Sequence, residues 1–171
     1  MTVYIPAYVG IGSNLDVPER QVEAAFQALA RLPRTRLIAR SRLYTTRPFG
    51  PVAQDDFVNA VAGLLTELSG PELLTELRAI ETAQGRVRSL RWGPRIIDLD
   101  LLVHGQTRMQ TEELTLPHPG IVERNFVLYP LADIAPDLDI PGQGRVSQLA
   151  ASVSGDGIRV VASPDTVLQE G

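Results

Sequence analysis

The chain has 171 residues, of which 44% are hydrophobic and 21% charged, with a net charge of −4, the profile of one ordinary globular domain. Cysteine is absent, which excludes disulfide frameworks, thiolate nucleophiles and Cys-bound zinc. Lysine is absent as well, all 16 basic residues being arginine, which excludes a P-loop lysine and Schiff-base chemistry.

Tyr4 to Ile11 is apolar and β-rich and leads into Gly12-Ser13-Asn14, so it reads as a strand entering a turn. Asp16 is placed to cap a helix with Pro18 in its first turn and Val22, Ala25, Phe26 and Leu29 on one face, ended by Pro33. Arg36 to Thr45 alternates as a second strand, and Thr46 to Asp55, with two prolines and a glycine, reads as a structured loop. Phe57 to Leu65 is a third strand, and Pro71 opens a helix whose buried stripe is Leu73, Leu74, Leu77 and Ile80. Gly85 to Pro94 is a basic loop and Ile96 to Val103 a fourth strand. The order β-α-β-β-α-β is that of the split βαβ motif, so the expected fold class is α+β, a ferredoxin-like sandwich. A C-terminal appendage follows: a Pro-rich turn at Leu116 to Pro119, a helix around Val122 to Leu131, and a tail with a short strand at Ile158 to Ala162. One domain spanning residues 1–171 is expected, with a core over about residues 1–150 and a tail over 151–171.

No apolar run approaches the roughly 20 residues of a membrane helix, and no basic and apolar leader opens the chain. The expected setting is therefore the cytoplasm, without a membrane partner. The acidic balance argues against nucleic acid, yet from Arg78 to Arg95 five arginines face a single acid, Glu81. Such a segment points to a local anion site such as a polyphosphate.

The sharpest chemical signal is Arg91-Trp-Gly-Pro-Arg-Ile-Ile-Asp-Leu-Asp-Leu-Leu102. On a strand, Asp98 and Asp100 leave the same face about 7 Å apart, while Ile97, Leu99 and Leu101 point to the core. Paired carboxylates beside arginines are what a metal–polyphosphate site requires, since the acids hold hard cations and the arginines meet the remaining phosphate oxygens. An isolated D-x-D is also what a solvated edge strand presents; the Trp-Gly-Pro-Arg before it shifts the balance. Asn59 within the apolar Phe57-Val-Asn-Ala-Val61 is unusual, because a buried amide without partners costs about 1–3 kcal/mol. It is expected to face a ligand. His104 reads as structural or exposed.

The Arg91–Leu102 motif resembles the signature of the 6-hydroxymethyl-7,8-dihydropterin pyrophosphokinases of folate synthesis. The resemblance spans nearly the whole chain and includes Gly10-Ile-Gly-Ser-Asn-Leu15, Tyr44-Thr-Thr-Arg-Pro-Phe-Gly-Pro51 and Asp56-Phe-Val-Asn59. It continues through Glu81-Thr-Ala-Gln-Gly-Arg-Val-Arg88 and Leu116-Pro-His-Pro119 to Glu123-Arg-Asn-Phe126. It implies transfer of diphosphate from ATP to a reduced pterin, with ATP as co-substrate. Asp98 and Asp100 would hold two Mg2+ ions, and Arg86 and Arg95 would steady the transferring group. Nucleotide contacts would fall to Arg78, Glu81, Arg88, Leu101, Thr115, His118 and Arg124. The pterin would lie between Phe57 and Phe126 with Asn59 on its polar edge, Thr46, Arg47 and Phe49 completing the pocket and Trp92 closing over it. A monomer with small-molecule partners is implied. Family members often carry a lysine where this chain has Ser89-Leu90 and in some a basic residue at Glu113, so phosphate and ATP contacts there differ; Phe57 replaces a frequent tyrosine, keeping the stacking face and losing a hydroxyl. The same acidic pair also suits a nucleotidyltransferase releasing pyrophosphate, and the fold also suits a non-catalytic nucleotide-binding module.

Arg95 lies three residues before Asp98, within reach of charge building between the attacking hydroxyl and leaving AMP. Arg95→Ala is expected to cut kcat at least about 100-fold, the scale of one lost oxyanion-type donor, with less than about tenfold change in ATP affinity. Steady-state kinetics beside equilibrium binding of a non-hydrolysable ATP analogue checks this; equal losses would make Arg95 a nucleotide anchor.

Overall fold

The computed structural model describes residues 3–47, 55–85 and 96–161. The main sheet begins with β1 (Ile5–Ser13), followed by α1 (Pro18–Leu29), β2 (Thr35–Arg40), β3 (Tyr44–Thr46) and β4 (Phe57–Thr66). Next come α2 (Gly70–Ala83) and β5 (Asp98–His104). Beyond these lie the hairpin β6 (Met109–Gln110) and β7 (Thr115–Leu116), a 3-10 turn (Ile121–Glu123) and α3 (Asn125–Ile134). The described residues close with β8 (Asp139–Ile140), β9 (Gly144–Arg145), α4 (Val146–Ser152) and β10 (Ile158–Val160).

The sheet order is β10-β3-β4-β1-β5, with β2 also on β4, and every pairing is antiparallel. This is the expected βαββαβ arrangement, extended by one strand at the β3 edge. Side-chain alternation then divides the sheet into two faces. Ala7, Val9 and Ile11 of β1, Val58, Ala60, Ala62 and Leu64 of β4, and Leu99 and Leu101 of β5 point toward α1 and α2. There they meet Val22, Ala25, Phe26, Leu29, Leu73, Leu77 and Ile80, all buried. On the opposite face Val61, Leu102 and Val103 pack under Val127, Leu128 and Leu131 of α3. The appendage covers only the half of that face toward the start of β1. The other half carries Phe57, Asn59, Gly12, Asp98 and Asp100.

Several local expectations need correction. The strand expected over Arg36 to Thr45 is two strands, β2 against Ala62–Thr66 and β3 against Phe57–Asn59. Ser41 makes the break: its N–H donates to Val61 O at 3.0 Å while its hydroxyl accepts from Val61 N–H at 2.8 Å, so a side chain replaces a ladder carbonyl. Asp16 does not cap α1 through its carboxylate. The capping residue is Val17, left-handed at φ 59° with no side-chain cap, and Asp16 offers its carbonyl to Gln21 Nε2 instead. That helix stops at Leu29, before Pro33 can act. The appendage helix starts at Asn125 rather than Val122, because Ile121–Glu123 coils more tightly. His104 is structural: it is buried, with Nε2 against Leu68 O at 2.8 Å and Nδ1 against Thr107 Oγ1 at 3.2 Å. Among the described residues no helix is long and apolar enough to cross a membrane.

The helix that supports the acidic strand is well nucleated. Ser69 Oγ accepts from Glu72 N–H at 3.2 Å and Glu72 Oε1 accepts from Ser69 N–H at 2.9 Å, a reciprocal capping box, with Pro71 in the first turn. Ser69→Ala is expected to lower unfolding free energy by about 1 kcal/mol, measured by urea denaturation without ligand. An unchanged midpoint would mean that packing of Leu73 and Leu77 alone sets the helix start.

Candidate active site

The open half-face is organised by register. Tyr44, Asn59, Gly12 and Asp98 are Cα partners across β3, β4, β1 and β5, and two residues further along the row reads Val61, Gly10 and Asp100. Both positions beside the aspartates on β1 are therefore glycine, so the sheet floor there is bare backbone. The reason is spatial. A Cβ at Gly12 would stand 2.9 Å from Asn59 Oδ1, closer than such contacts occur. Asn59 is buried and lies across Gly12, its Nδ2 donating to Thr46 Oγ1 at 2.7 Å. The amide is thus held in the plane of the floor, on the line toward Asp98.

Asp98 and Asp100 leave the same face of β5, as strand alternation requires, and both are half-buried. Burial pushes the Asp100 carboxyl up to about 7; the Asp98 charge adds to the rise, and Arg124 and Arg78 oppose it. Two buried-side carboxylates that resist joint ionisation are a natural seat for a hard cation with oxygen ligands. Among the described residues no group of three or more His, Cys, Asp or Glu could hold a metal.

β5 is an edge strand, and α2 secures its outer side. Glu81 is only 2% exposed; its Oε2 accepts from Leu99 N–H at 2.8 Å and its Oε1 from Arg78 at 2.8 Å. Arg78 also donates to Leu99 O at 3.1 Å. The residue between the two aspartates thus has both backbone groups fixed by one ion pair. Glu81, expected among the nucleotide contacts, braces β5 through these bonds, with Arg78 beside it. The Leu101 side chain, also expected there, is buried in the α1–α2 core, which leaves only its backbone for a ligand.

On the other side of the acids, Thr115 sits on β7 just before the cis peptide Leu116-Pro117, and His118 N–H donates to Leu102 O at 2.8 Å. His118 Nδ1 accepts from Gly120 N–H at 3.0 Å. Burial, then the charge of Arg124, lowers the His118 pKa to about 4 against the opposing pull of Asp98, so the ring is neutral near pH 7. With Nδ1 used as acceptor, its proton sits on Nε2. The Arg124 guanidinium lies over the Phe126 ring, 5.7 Å from its centroid.

Phe57 pairs with Thr46 at the open end of the face. Thr46, Arg47 and Phe126 line a cavity of about 340 Å³ together with Glu123, Asn125, Val153, Ser154, Asp156 and Gly157. The structure therefore brings the acids together with Arg78, His118 and Arg124, and groups Thr46, Asn59 and Phe57 beside them. Phe49, Arg86, Arg88, Trp92 and Arg95 lie outside the described residues. Gly12 reads from the sequence as the start of a turn, whereas it lies, like Gly10, inside β1. Two glycines in a strand interior are the available signal, since they mark close approach of another group.

The architecture is a ferredoxin-like α+β domain with an acidic pair on the half of its sheet face that lies beyond α3. The chain belongs to the 7,8-dihydro-6-hydroxymethylpterin-pyrophosphokinase (HPPK) family, whose model matches residues 8–136. It is 50% identical over 88% of its length to the 2-amino-4-hydroxy-6-hydroxymethyldihydropteridine pyrophosphokinase of Pseudomonas aeruginosa, covering 93% of that protein. The enzyme of the same name from Haemophilus influenzae is 47% identical over 85% of the chain and is covered to 91%. Among solved structures, Plasmodium falciparum HPPK-DHPS matches 86% of the chain with a TM-score of 0.68 at 13% identity, a likeness of fold. The chain spans 43% of that longer protein.

The pH dependence of stability follows from Asp100. Its folded pKa lies above the unfolded 3.8, so ionised Asp100 opposes folding; the effect is absent well below pH 4, grows as pH rises, and is full above about 7. In metal-free buffer Asp100→Asn is expected to raise Tm at pH 8 by roughly 2–4 °C for each kcal/mol relieved, with the gain fading toward pH 4. Thermal melts across that range check it; a gain independent of pH would locate the effect in packing.

Proposed function

We propose that this chain transfers the terminal diphosphate of ATP to the hydroxymethyl group of 6-hydroxymethyl-7,8-dihydropterin, a step of folate biosynthesis. The hydroxyl oxygen bonds to the β-phosphorus, the bond from that phosphorus to the oxygen bridging the α-phosphate breaks, AMP leaves, and the hydroxyl proton is released. The observation that carries the reading is the single row from Asn59 across bare Gly12 to Asp98, in a chain of this family. It sets an amide that recognises a heterocycle edge beside an acid pair that serves a polyphosphate.

In this reading Asn59 orients the pterin, since an amide both donates and accepts, and Thr46 keeps that amide in its plane. Phe57 and Phe126 offer aromatic faces to the flat ring. Asp98 and Asp100 hold Mg2+, two ions in the fullest form of the proposal. Bound there, the metal would neutralise phosphate charge and ease loss of the hydroxyl proton. Neutral His118 donates from Nε2 to the nucleotide, and Arg124 meets its charge. Arg86 and Arg95 steady the group in flight, and Arg88 and Thr115 add nucleotide contacts. Arg78 and Glu81 keep the Leu99 backbone, and so the spacing of the acids, fixed. Phosphoryl-type transfer depends on positioning and charge neutralisation more than on a strong base, which suits this inventory. The chain is proposed to act as one domain and as a monomer in the cytoplasm.

Incubation of the chain with ATP, Mg2+ and the reduced pterin, followed by chromatography, tests the proposal. AMP and pterin diphosphate are expected in equal amounts; pyrophosphate as the product would make the chain a nucleotidyltransferase. Asp98→Ala and Asp100→Ala are each expected to lower turnover at least about 100-fold while the circular dichroism spectrum is retained. Near-normal AMP formation by the double variant would remove the metal assignment.

A further inference from the structure

The C-terminal segment lies beyond residue 136, where the family match ends, and the sequence assigns it no role. In the structure it bridges two walls of the 340 Å³ cavity. On one side β10 pairs with β3, Ile158 opposite Thr46 and Val160 opposite Tyr44. The pairing is carried past both ends: Gly157 O accepts from Arg47 N–H at 3.3 Å, and Leu43 O accepts from Val161 N–H at 2.8 Å. On the other side Asn125, the first residue of α3, donates from Nδ2 to Ser154 O at 2.9 Å and to Asp156 O at 3.1 Å. Tyr129, one turn further along α3, reaches Val153 O at 3.4 Å.

These bonds have one geometric result. Thr46 and Arg47 sit on the sheet wall and Phe126 on the helix wall; further along, β3 meets α3 directly where the Tyr44 hydroxyl donates to Asp133 at 2.8 Å, and at the cavity end the segment's bonds join the two walls. The segment grips the backbone of Arg47 at one end and the side chain next to Phe126 at the other. Gly157 makes the turn between the two grips, at φ 77° with the Arg47 side chain 3.4 Å from where a Cβ would stand. Val153, Ser154, Asp156 and Gly157 themselves form the intervening wall. The segment contributes little to either core, since Ile158 is half-buried and Arg159 and Val160 are exposed. Its bonding is therefore concentrated on the pocket.

We propose that Ser154–Val160 is a positioning strap for the heterocycle pocket, fixing the distance between the β3 wall and Phe126, with Asn125 and Gly157 as its two fastenings. This rests on the reading that reduced pterin lies against Phe126 and Asn59. The strap sets pterin affinity and leaves the nucleotide side, built on β5, β7 and the loop at His118, untouched.

Calorimetry on the full chain, on a variant ending at Val153, and on Asn125→Ala tests this. Each is titrated with a non-hydrolysable ATP analogue, then with 6-hydroxymethyl-7,8-dihydropterin on top of the analogue. Asn125→Ala is expected to weaken the pterin about fivefold to tenfold, the scale of one net hydrogen bond, and the shortened chain more. Analogue affinity should stay within about twofold in both. Amide hydrogen exchange at Arg47 should quicken in the shortened chain. Equal weakening of both ligands would reduce the segment to general stability, and unchanged pterin binding would remove the strap. If the shortened chain fails to fold, the ratio of the two affinities in Asn125→Ala decides alone. A wild-type chain that binds the analogue but never the pterin would overturn the functional reading, and the strap's role with it.

Discussion

Two carboxylates side by side on one strand repel each other, and burial worsens the repulsion, as the elevated Asp100 shows. A strand carrying them at the rim of a sheet is the element most inclined to shift. Much of the molecule can be understood as restraint on β5. On its inner side β1 provides the ladder, with glycine opposite each of the two acids. On its outer side Glu81 and Arg78 take both backbone groups of Leu99. Underneath, Leu99 and Leu101 are sunk among the α1 and α2 side chains. The price in electrostatics is met by geometry: the acids stay side by side on one face.

The same restraint explains why the two halves of the exposed sheet face differ. Where α3 covers it, Val61, Leu102 and Val103 need apolar company. Where it is open, the row from Asn59 to Asp98 is polar at both ends and empty in the middle. A single strand, β4, thus switches from the polar Asn59, bonded to Thr46, to core-forming Val61 within one pleat period. Packing and chemistry meet at that step.

Much of this was legible from the chain. Period-two alternation gave the strands, and it also placed Asp98 and Asp100 on one face, because that inference needs no tertiary knowledge. Asn59 stood out as a polar residue in an apolar strand. What could not be read depended on partners distant in sequence. Ser41 looks like one more alternating position until its hydroxyl meets Val61. Glu81 on a helix reads as a site residue or a solvent residue; only the packing of α2 on β5 aims it at Leu99. Leu101 followed the motif into the nucleotide set although its alternation already pointed it inward. The brief α4 and the pairing of β10 with β3 were hidden because short, mixed-polarity segments carry no clear period.

The Glu81–Arg78 clasp has a consequence for the molecule's life among its neighbours. A rim strand normally displays a row of unsatisfied N–H and C=O groups, an invitation for a strand of another chain to add on. On β5 that row is interrupted at Leu99, whose donor and acceptor are already engaged by side chains from the same molecule. The opposite rim is shared by β2, which carries the exposed Arg36 and Arg40, and β10, three residues long with the charged Arg159 at its centre. A foreign strand would find no continuous template along β5. The device that keeps the acids in place thereby also guards an open sheet against growing into an aggregate.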